Sequence, residues 1–253
     1  NLPVLSQLVW NKIKEELVNA FGGEFYQVII GGAAFNKEVE AFFKKIGFPV
    51  TVGYGMTECA PIITYDDWNV EKLYSCGKIA PNMEMKIDSA DPVNVPGEIL
   101  IKGANVFPGY FKNEEATKAV FTKDGWFRTG DMGVVDEDGC LFIKGRSKCM
   151  ILGPSGQNIY PEEVETVINS QPYVVDSLVV EDDGGLTGLI YPDFAQGAKD
   201  GMNQDTFIKY IEDTLPELNK ELPNYAKLKK IEVMSEDFER TPKKSIKRYL
   251  YQR

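Results

Sequence analysis

The chain has 253 residues, 43 % hydrophobic and 26 % charged, an ordinary globular composition with length enough for one large domain or two smaller ones. Its net charge of −10 argues against a broad nucleic-acid-binding face, which needs clustered Lys and Arg, but leaves a small anionic ligand open, since backbone N–H groups and helix N-termini hold phosphate. The absence of histidine excludes Ser-His-Asp, Cys-His and His-ligated zinc chemistry, and Cys59, Cys76, Cys140 and Cys149 form no CxxC pair, so they read as reduced thiols of a cytoplasmic protein.

No apolar run reaches about 18 residues and no signal peptide is evident, so no transmembrane segment is expected. The chain opens on Asn1, as expected for an excised or processed piece. Residues 4–20 carry Val4, Leu5, Leu8, Val9, Ile13, Leu17 and Val18 at amphipathic-helix spacing, ended by Gly22 and Gly23. Phe25–Ile30 reads as a buried strand running into Gly31-Gly32-Ala33-Ala34. Asn36 is placed to cap a helix with Val39, Phe42, Phe43 and Ile46 on one face and Gly47 as its stop. Pro49–Val52 reads as a second strand, followed by Gly53-Tyr54-Gly55-Met56-Thr57-Glu58. The order predicts parallel strands with both glycine turns at their carboxyl ends, the edge where open α/β sheets bind ligands.

Beyond residue 75 or so, short strands are expected at Met83–Ile87, Glu98–Ile101, Gly133–Val135 and Leu141–Ile143, the last two joined by an Asp138-Gly139 hairpin turn. The segment Gly145–Gly156 (GRSKCMILGPSG) reads as a boundary. After it, Pro161 suits a helix N1 position, with Glu162, Glu163 and Glu165 favouring the dipole and Val164, Val167 and Ile168 as its apolar stripe. Strands at Ser177–Val180, Leu186–Tyr191 and Ile231–Val233, a helix from about Gln204 to Leu215 and an exposed loop at 192–203 complete a small α+β unit. The fold class expected is α/β plus α+β, divided as 1–146 and 147–253.

Four segments can carry chemistry. GYGMTE (Gly53–Glu58) is either a tight turn with a solvated Glu or a turn whose amides, Thr57 hydroxyl and Glu58 carboxylate meet phosphate and Mg²⁺. FRTGD (Phe127–Asp131) is either a turn capped by its Asp or a site for two ribose hydroxyls. GRSK (Gly145–Lys148) is either a solvated linker or a hinge bringing a cation to a ligand. The basic stretch Arg240–Arg253 is either a solvated tail or carries a lysine to a reacting phosphoryl or carboxyl group.

Taken in order, GYGMTE, YFKNEEAT, GWFRTGD, GRSKCMI and GQNIYPEEVE resemble the acyl-CoA synthetase branch of the adenylate-forming enzymes over nearly the whole chain. The wording around GRSK and NIYPEEVE is most similar to the long-chain fatty acid ligases of lipid metabolism. The resemblance implies that a carboxylic acid and ATP give acyl-AMP and pyrophosphate. A small C-terminal domain then rotates and the CoA thiol attacks. It places Gly32, Ala33 and Ala34 on the adenine pocket, with Tyr54 against the ring and Gly53, Gly55, Met56 and Ile143 around the nucleotide. Thr57 would contact phosphate, Glu58 would hold Mg²⁺, and Asp131 would bind ribose with help from Arg146. Lys148 would be the hinge, and the loop from Gly153 through Gly156, Gln157 and Asn158 to Tyr160 would face CoA.

Two departures stand out. The family's Ser/Thr/Gly-rich phosphate loop ending in Pro-Lys-Gly is not found, so this stretch alone is expected to adenylate poorly or not at all. The catalytic lysine position, set by Ile246 and Arg248, is filled by Ser245. Lys247 is the first candidate and Lys244 the second. Fatty acid, ATP and CoA are the expected ligands, with no nucleic acid and with peripheral membrane association left open. Transfer to a carrier-protein phosphopantetheine and a non-catalytic nucleotide-binding module are the alternatives. A dinucleotide oxidoreductase is weak because GxGxxG is absent.

Overall fold

The structure is a computed structural model. It describes residues 2–154, 156–242 and 244–253, with side chains from residue 6 onward. Ser155 of the boundary segment, Lys243 of the basic tail and the side chains of Val4 and Leu5 lie outside the described residues. The chain forms two compact units, residues 1–144 and 145–253.

In the first unit, α1 (Leu2–Ala20) precedes β1 (Val28–Ile30), α2 (Lys37–Ile46) and β2 (Val50–Val52). β1 and β2 pair in parallel, Ile30 opposite Val52. Asn36 caps α2 by accepting the Glu38 and Val39 amides, and Gly47 ends it in the left-handed region at φ 66°. Two expectations need correction. Phe25–Gln27 is not strand, and Ile29 is 41 % exposed. Among the described residues β1 has only β2 as neighbour, and Phe25 turns instead into an aromatic cluster with Phe21 and Phe48. Val39 is also exposed, while Phe42, Phe43 and Ile46 face the core.

β3 (Tyr54–Gly55), β4 (Ile62–Tyr65) and β5 (Lys78–Ile79) form a small antiparallel sheet. β6 (Met83–Asp88), β7 (Gly97–Gly103), β8 (Phe127–Val135) and β9 (Leu141–Arg146) form a four-stranded sheet, with α3 (Glu114–Ala119) between β7 and β8. Gly139 at φ 82° makes the expected β8–β9 turn. FRTGD is not a turn but the first part of β8, because β7 supplies the backbone partners that a turn would supply to itself.

The segment from Gly145 is not a solvated linker throughout: β10 (Ile151–Leu152) and β11 (Asn158–Ile159) pair as a hairpin. α4 (Pro161–Asn169) follows, with Pro161 in its first turn as expected. β12 (Val174–Asp182), β13 (Gly185–Pro192) and β14 (Leu228–Val233) make the sheet of the second unit, and α5 (Phe194–Lys199), α6 (Gln204–Glu212) and α7 (Leu215–Glu221) lie between β13 and β14. The loop expected at 192–203 is therefore largely α5, capped by Asp193 and held by Phe194 against Phe207. The helix expected from about Gln204 to Leu215 is α6, which ends at Glu212, and a further short helix, α7, follows with Pro216 in its first turn.

Alternation along β12 and β13 serves two cores. Val179, Leu186 and Ile190 pack with Ile168, Phe207, Ile211 and Leu218. Leu178, Val180 and Leu189 pack with Phe238 and, at the edge, Ile246 and Tyr251. The basic tail is thus folded back onto its own unit rather than solvated. Arg253 closes it with ion pairs to Asp182 and Glu232.

Candidate functional site

The parallel pairing of β1 and β2 puts the Gly31–Ala34 and Gly53–Glu58 turns at one sheet edge, where the Gly53 amide donates to Ile30 O at 2.8 Å. Gly32, Ala33 and Ala34 are exposed there. The second turn is short because Met56 N–H donates to Pro61 O at 2.8 Å and Thr57–Cys59 forms one 3-10 turn. Gly55 tolerates no side chain, since a Cβ would stand 2.2 Å from Pro61 O. Thr57 is exposed on this turn, and Glu58 is half-buried beside it.

Asp131 reaches the same region through a bulge. Thr129, Gly130 and Asp131 stand opposite the single residue Ile99 of β7, and Gly130 takes φ 75°. Three hydrogen bonds hold the bulge. Thr129 Oγ1 donates to Ile99 O at 2.8 Å and accepts from the Asp131 amide at 3.1 Å, and Gly130 N–H donates to Glu98 Oε1 at 3.1 Å. Glu98 also pairs with Arg128. Asp131 is then 6 % exposed, and its Oδ2 accepts from Tyr54 Oη at 2.6 Å, a bond between residues 77 apart in sequence. Tyr54 is itself 8 % exposed, so its hydroxyl steadies Asp131. Ile143, on β9 of the same unit, is 37 % exposed.

Glu58 accepts from Tyr110 Oη at 3.0 Å through Oε1, while Oε2 has no protein partner among the described residues. No cluster of three acidic or thiol side chains gathers as a metal site among those residues. One carboxylate with an open oxygen fits a Mg²⁺ that arrives on nucleotide phosphates, which takes one or two carboxylates, and does not fit an all-protein cage. Burial pushes Cys59 up to about 11 and Cys76 up to about 12, so neither thiol is a nucleophile at neutral pH.

The remaining candidates belong to the second unit. Arg146 and Lys148 are exposed, Lys148 in the 3-10 turn Ser147–Cys149. Gly153, Gly156 and Gln157 form the tip between β10 and β11, closed by Gly153 N–H to Gln157 O at 2.8 Å, and Asn158 is exposed on β11. In the tail, Thr241 N–H donates to Ser245 O at 2.8 Å, and Lys244 takes φ 64°. Lys244 is exposed. Lys247 Nζ is paired with Glu239 at 3.0 Å.

Three residues of these arrangements escaped sequence reasoning. Tyr110 begins the quoted YFKNEEAT segment, but nothing local says that it meets Glu58. Glu98 reads as an ordinary strand residue. Glu165, expected only to favour the dipole of α4, is 7 % exposed; its Oε1 accepts the Val179 amide at 2.7 Å and its Oε2 binds Arg248. Glu162 stands 3.7 Å from the same guanidinium.

Two family matches divide the chain: AMP-binding enzyme over residues 4–111, and AMP-binding enzyme C-terminal domain over residues 150–253. A long-chain-fatty-acid–CoA ligase of Mycobacterium bovis is 31 % identical over 97 % of this chain and 42 % of its own length. A 2-succinylbenzoate–CoA ligase of Bacillus pumilus is 41 % identical over 64 % of this chain and 32 % of its own length. The o-succinylbenzoate coenzyme A synthetase of Bacillus subtilis, solved in complex with ATP and magnesium ion, superposes with a TM-score of 0.74 at 28 % identity, covering 93 % of this chain and 49 % of that one. The chain therefore spans less than half the length of these relatives.

Proposed function

We propose that this chain, which belongs to the AMP-binding enzyme superfamily, is the nucleotide-facing and C-terminal part of an ATP-dependent fatty acid–CoA ligase. A substrate carboxylate would attack the α-phosphorus of ATP, forming the acyl–phosphate bond and releasing pyrophosphate. The CoA thiol would then attack the acyl carbon, lose its proton and expel AMP. The observation that carries this reading is the Tyr54–Asp131 hydrogen bond, which fixes a buried carboxylate beside the GYGMTE turn. In the proposed site Asp131 takes the ribose hydroxyls, Gly32 to Ala34 border the adenine, and Thr57 donates to phosphate. Mg²⁺ held by Glu58 would neutralise phosphate charge. Residues 147–253 are the mobile domain of this proposal, with Lys148 as hinge and the Gly153–Gln157 tip toward CoA. A fatty acid is favoured because, in sequence, the Mycobacterium bovis fatty-acid ligase aligns along 97 % of this chain and the Bacillus pumilus succinylbenzoate ligase along 64 %.

The tail lysine is assigned first to Lys244, which is exposed and has no ion pair among the described residues. Lys247 would first have to leave its ion pair with Glu239. The test is acid-dependent exchange of labelled pyrophosphate into ATP by the full-length protein, then thioester formation with CoA or carrier-protein phosphopantetheine. Palmitate and CoA are expected to support both steps; exchange with succinylbenzoate alone, or thioester only on the carrier, would replace the substrate or acceptor. Lys244→Ala is expected to slow exchange about 100-fold, the scale of one lost charge-stabilising donor, with the thioester half-reaction little changed. The opposite ranking in Lys247→Ala would move the role there.

A further inference from the structure

The 3-10 turn bearing Thr57 and Glu58 is stitched to one loop, residues 105–110. Asn105 Nδ2 donates to Cys59 O at 2.6 Å, Phe107 N–H donates to Glu58 O at 2.8 Å, and Tyr110 Oη donates to Glu58 Oε1 at 3.0 Å. The loop is itself anchored. Tyr110 N–H donates to Thr117 Oγ1 at 2.9 Å, and the Tyr110 ring meets Phe107 edge-on with centroids 4.8 Å apart. Phe107 in turn packs on the buried Phe127, the first residue of the strand that carries Asp131.

A glutamate on an exposed turn has three rotatable bonds to order before it can ligate a metal. Fixing Oε1 by a hydroxyl on a rigid ring leaves Oε2 as the oxygen presented outward. From this geometry we infer that Tyr110 is a positioning residue for the metal-bearing nucleotide, holding the Glu58 carboxylate in its ligating rotamer. The inference rests on the proposed role of Glu58. In this inference Tyr110 acts only through Glu58. Removing its hydroxyl also removes a donor that competes for Glu58 charge, an opposite and smaller influence, because the donor is neutral and Oε2 is not the oxygen it occupies.

The test uses the full-length protein with a non-hydrolysable ATP analogue and Mn²⁺ as the metal probe, reading free metal by electron paramagnetic resonance. Tyr110→Phe keeps the ring against Phe107 and is expected to weaken metal affinity of the nucleotide complex about tenfold, the low end for a group that orients a ligating carboxylate. Its metal-free affinity for the analogue and its thermal midpoint are expected to stay near those of the parent. Glu58→Gln is measured alongside. If Glu58→Gln leaves metal affinity unchanged, the Glu58 assignment itself fails. If Glu58→Gln weakens it while Tyr110→Phe does not, or strengthens it, the positioning role of Tyr110 is overturned. A fall in thermal midpoint with unchanged metal affinity would make the bond merely structural and overturn it as well.

Discussion

Asp131→Ala is expected to weaken binding of an acyl-AMP analogue to the full-length protein about 100-fold, because in the proposed site two ribose hydroxyls would lose a charged acceptor at about 1.5 kcal/mol each and 1.4 kcal/mol is tenfold. Isothermal calorimetry reads the loss directly. The substitution also strips Tyr54 Oη of its acceptor inside a nearly closed environment, which costs about 1–2 kcal/mol of stability. Asp131→Asn separates the two effects, since its carbonyl oxygen still accepts from Tyr54 while its charge is gone. It is expected to fold like the parent and still bind poorly. Tyr54→Phe should show the reverse balance, with the charged acceptor intact but less firmly aimed and an affinity loss smaller than that of Asp131→Ala. Unchanged affinity in Asp131→Ala would remove Asp131 from the nucleotide site.

Arg248→Ala is expected to destabilise the second unit by about 3 kcal/mol at pH 8, the low end for breaking a buried pair, because the guanidinium keeps 24 % exposure while Glu165 keeps 10 %. Burial, the largest influence on Glu165, pushes its carboxyl up to about 7 from 4.5 against the opposing pull of Arg248 and the Val179 amide. The sign of the pH dependence follows from that direction. Between about pH 4.5 and 7 the unfolded chain has released this proton and the folded chain still holds it, so the Glu165 contribution to stability falls as pH rises through that window. Removing Arg248 should therefore cost less at pH 5, where Glu165 is neutral and keeps its bond to Val179, than at pH 8, where an unpaired carboxylate is left buried. Glu165→Gln should flatten this component of the pH profile. Urea midpoints at the two pH values measure both. Equal destabilisation by Arg248→Ala at pH 5 and 8 would mean that the guanidinium acts by packing alone.

Where the sequence was legible, the signal was local. Asn36 and Gly47 bracket α2 because a short acceptor at the N-cap and a left-handed residue at the C-cap satisfy that helix's own end groups. Pro161 starts α4 for the same kind of reason. The β1–α2–β2 order implied parallel strands, since two strands joined through a helix cross over in one direction. The five motifs, read in order, were enough for the family. The reading failed where an element depends on distant partners. β8 absorbs FRTGD only because β7 lies beside it. α5 and α7 are six and seven residues long, too short for a periodic signal, and are held by packing such as Phe194 on Phe207.

The sequence by itself determined which chemical groups are present, their order, and the glycine and proline positions at which the chain must turn. These are properties of a residue and its near neighbours, so they survive without a fold. Only the tertiary structure decided what each group meets. Tyr54 and Asp131 meet across 77 residues, Glu58 and Tyr110 across 52, and Glu165 and Arg248 across 83. Burial and hydrogen-bond geometry, which select a steadied carboxylate at Asp131, an aimed one at Glu58 and a proton-holding one at Glu165, exist only once those distant segments are packed together.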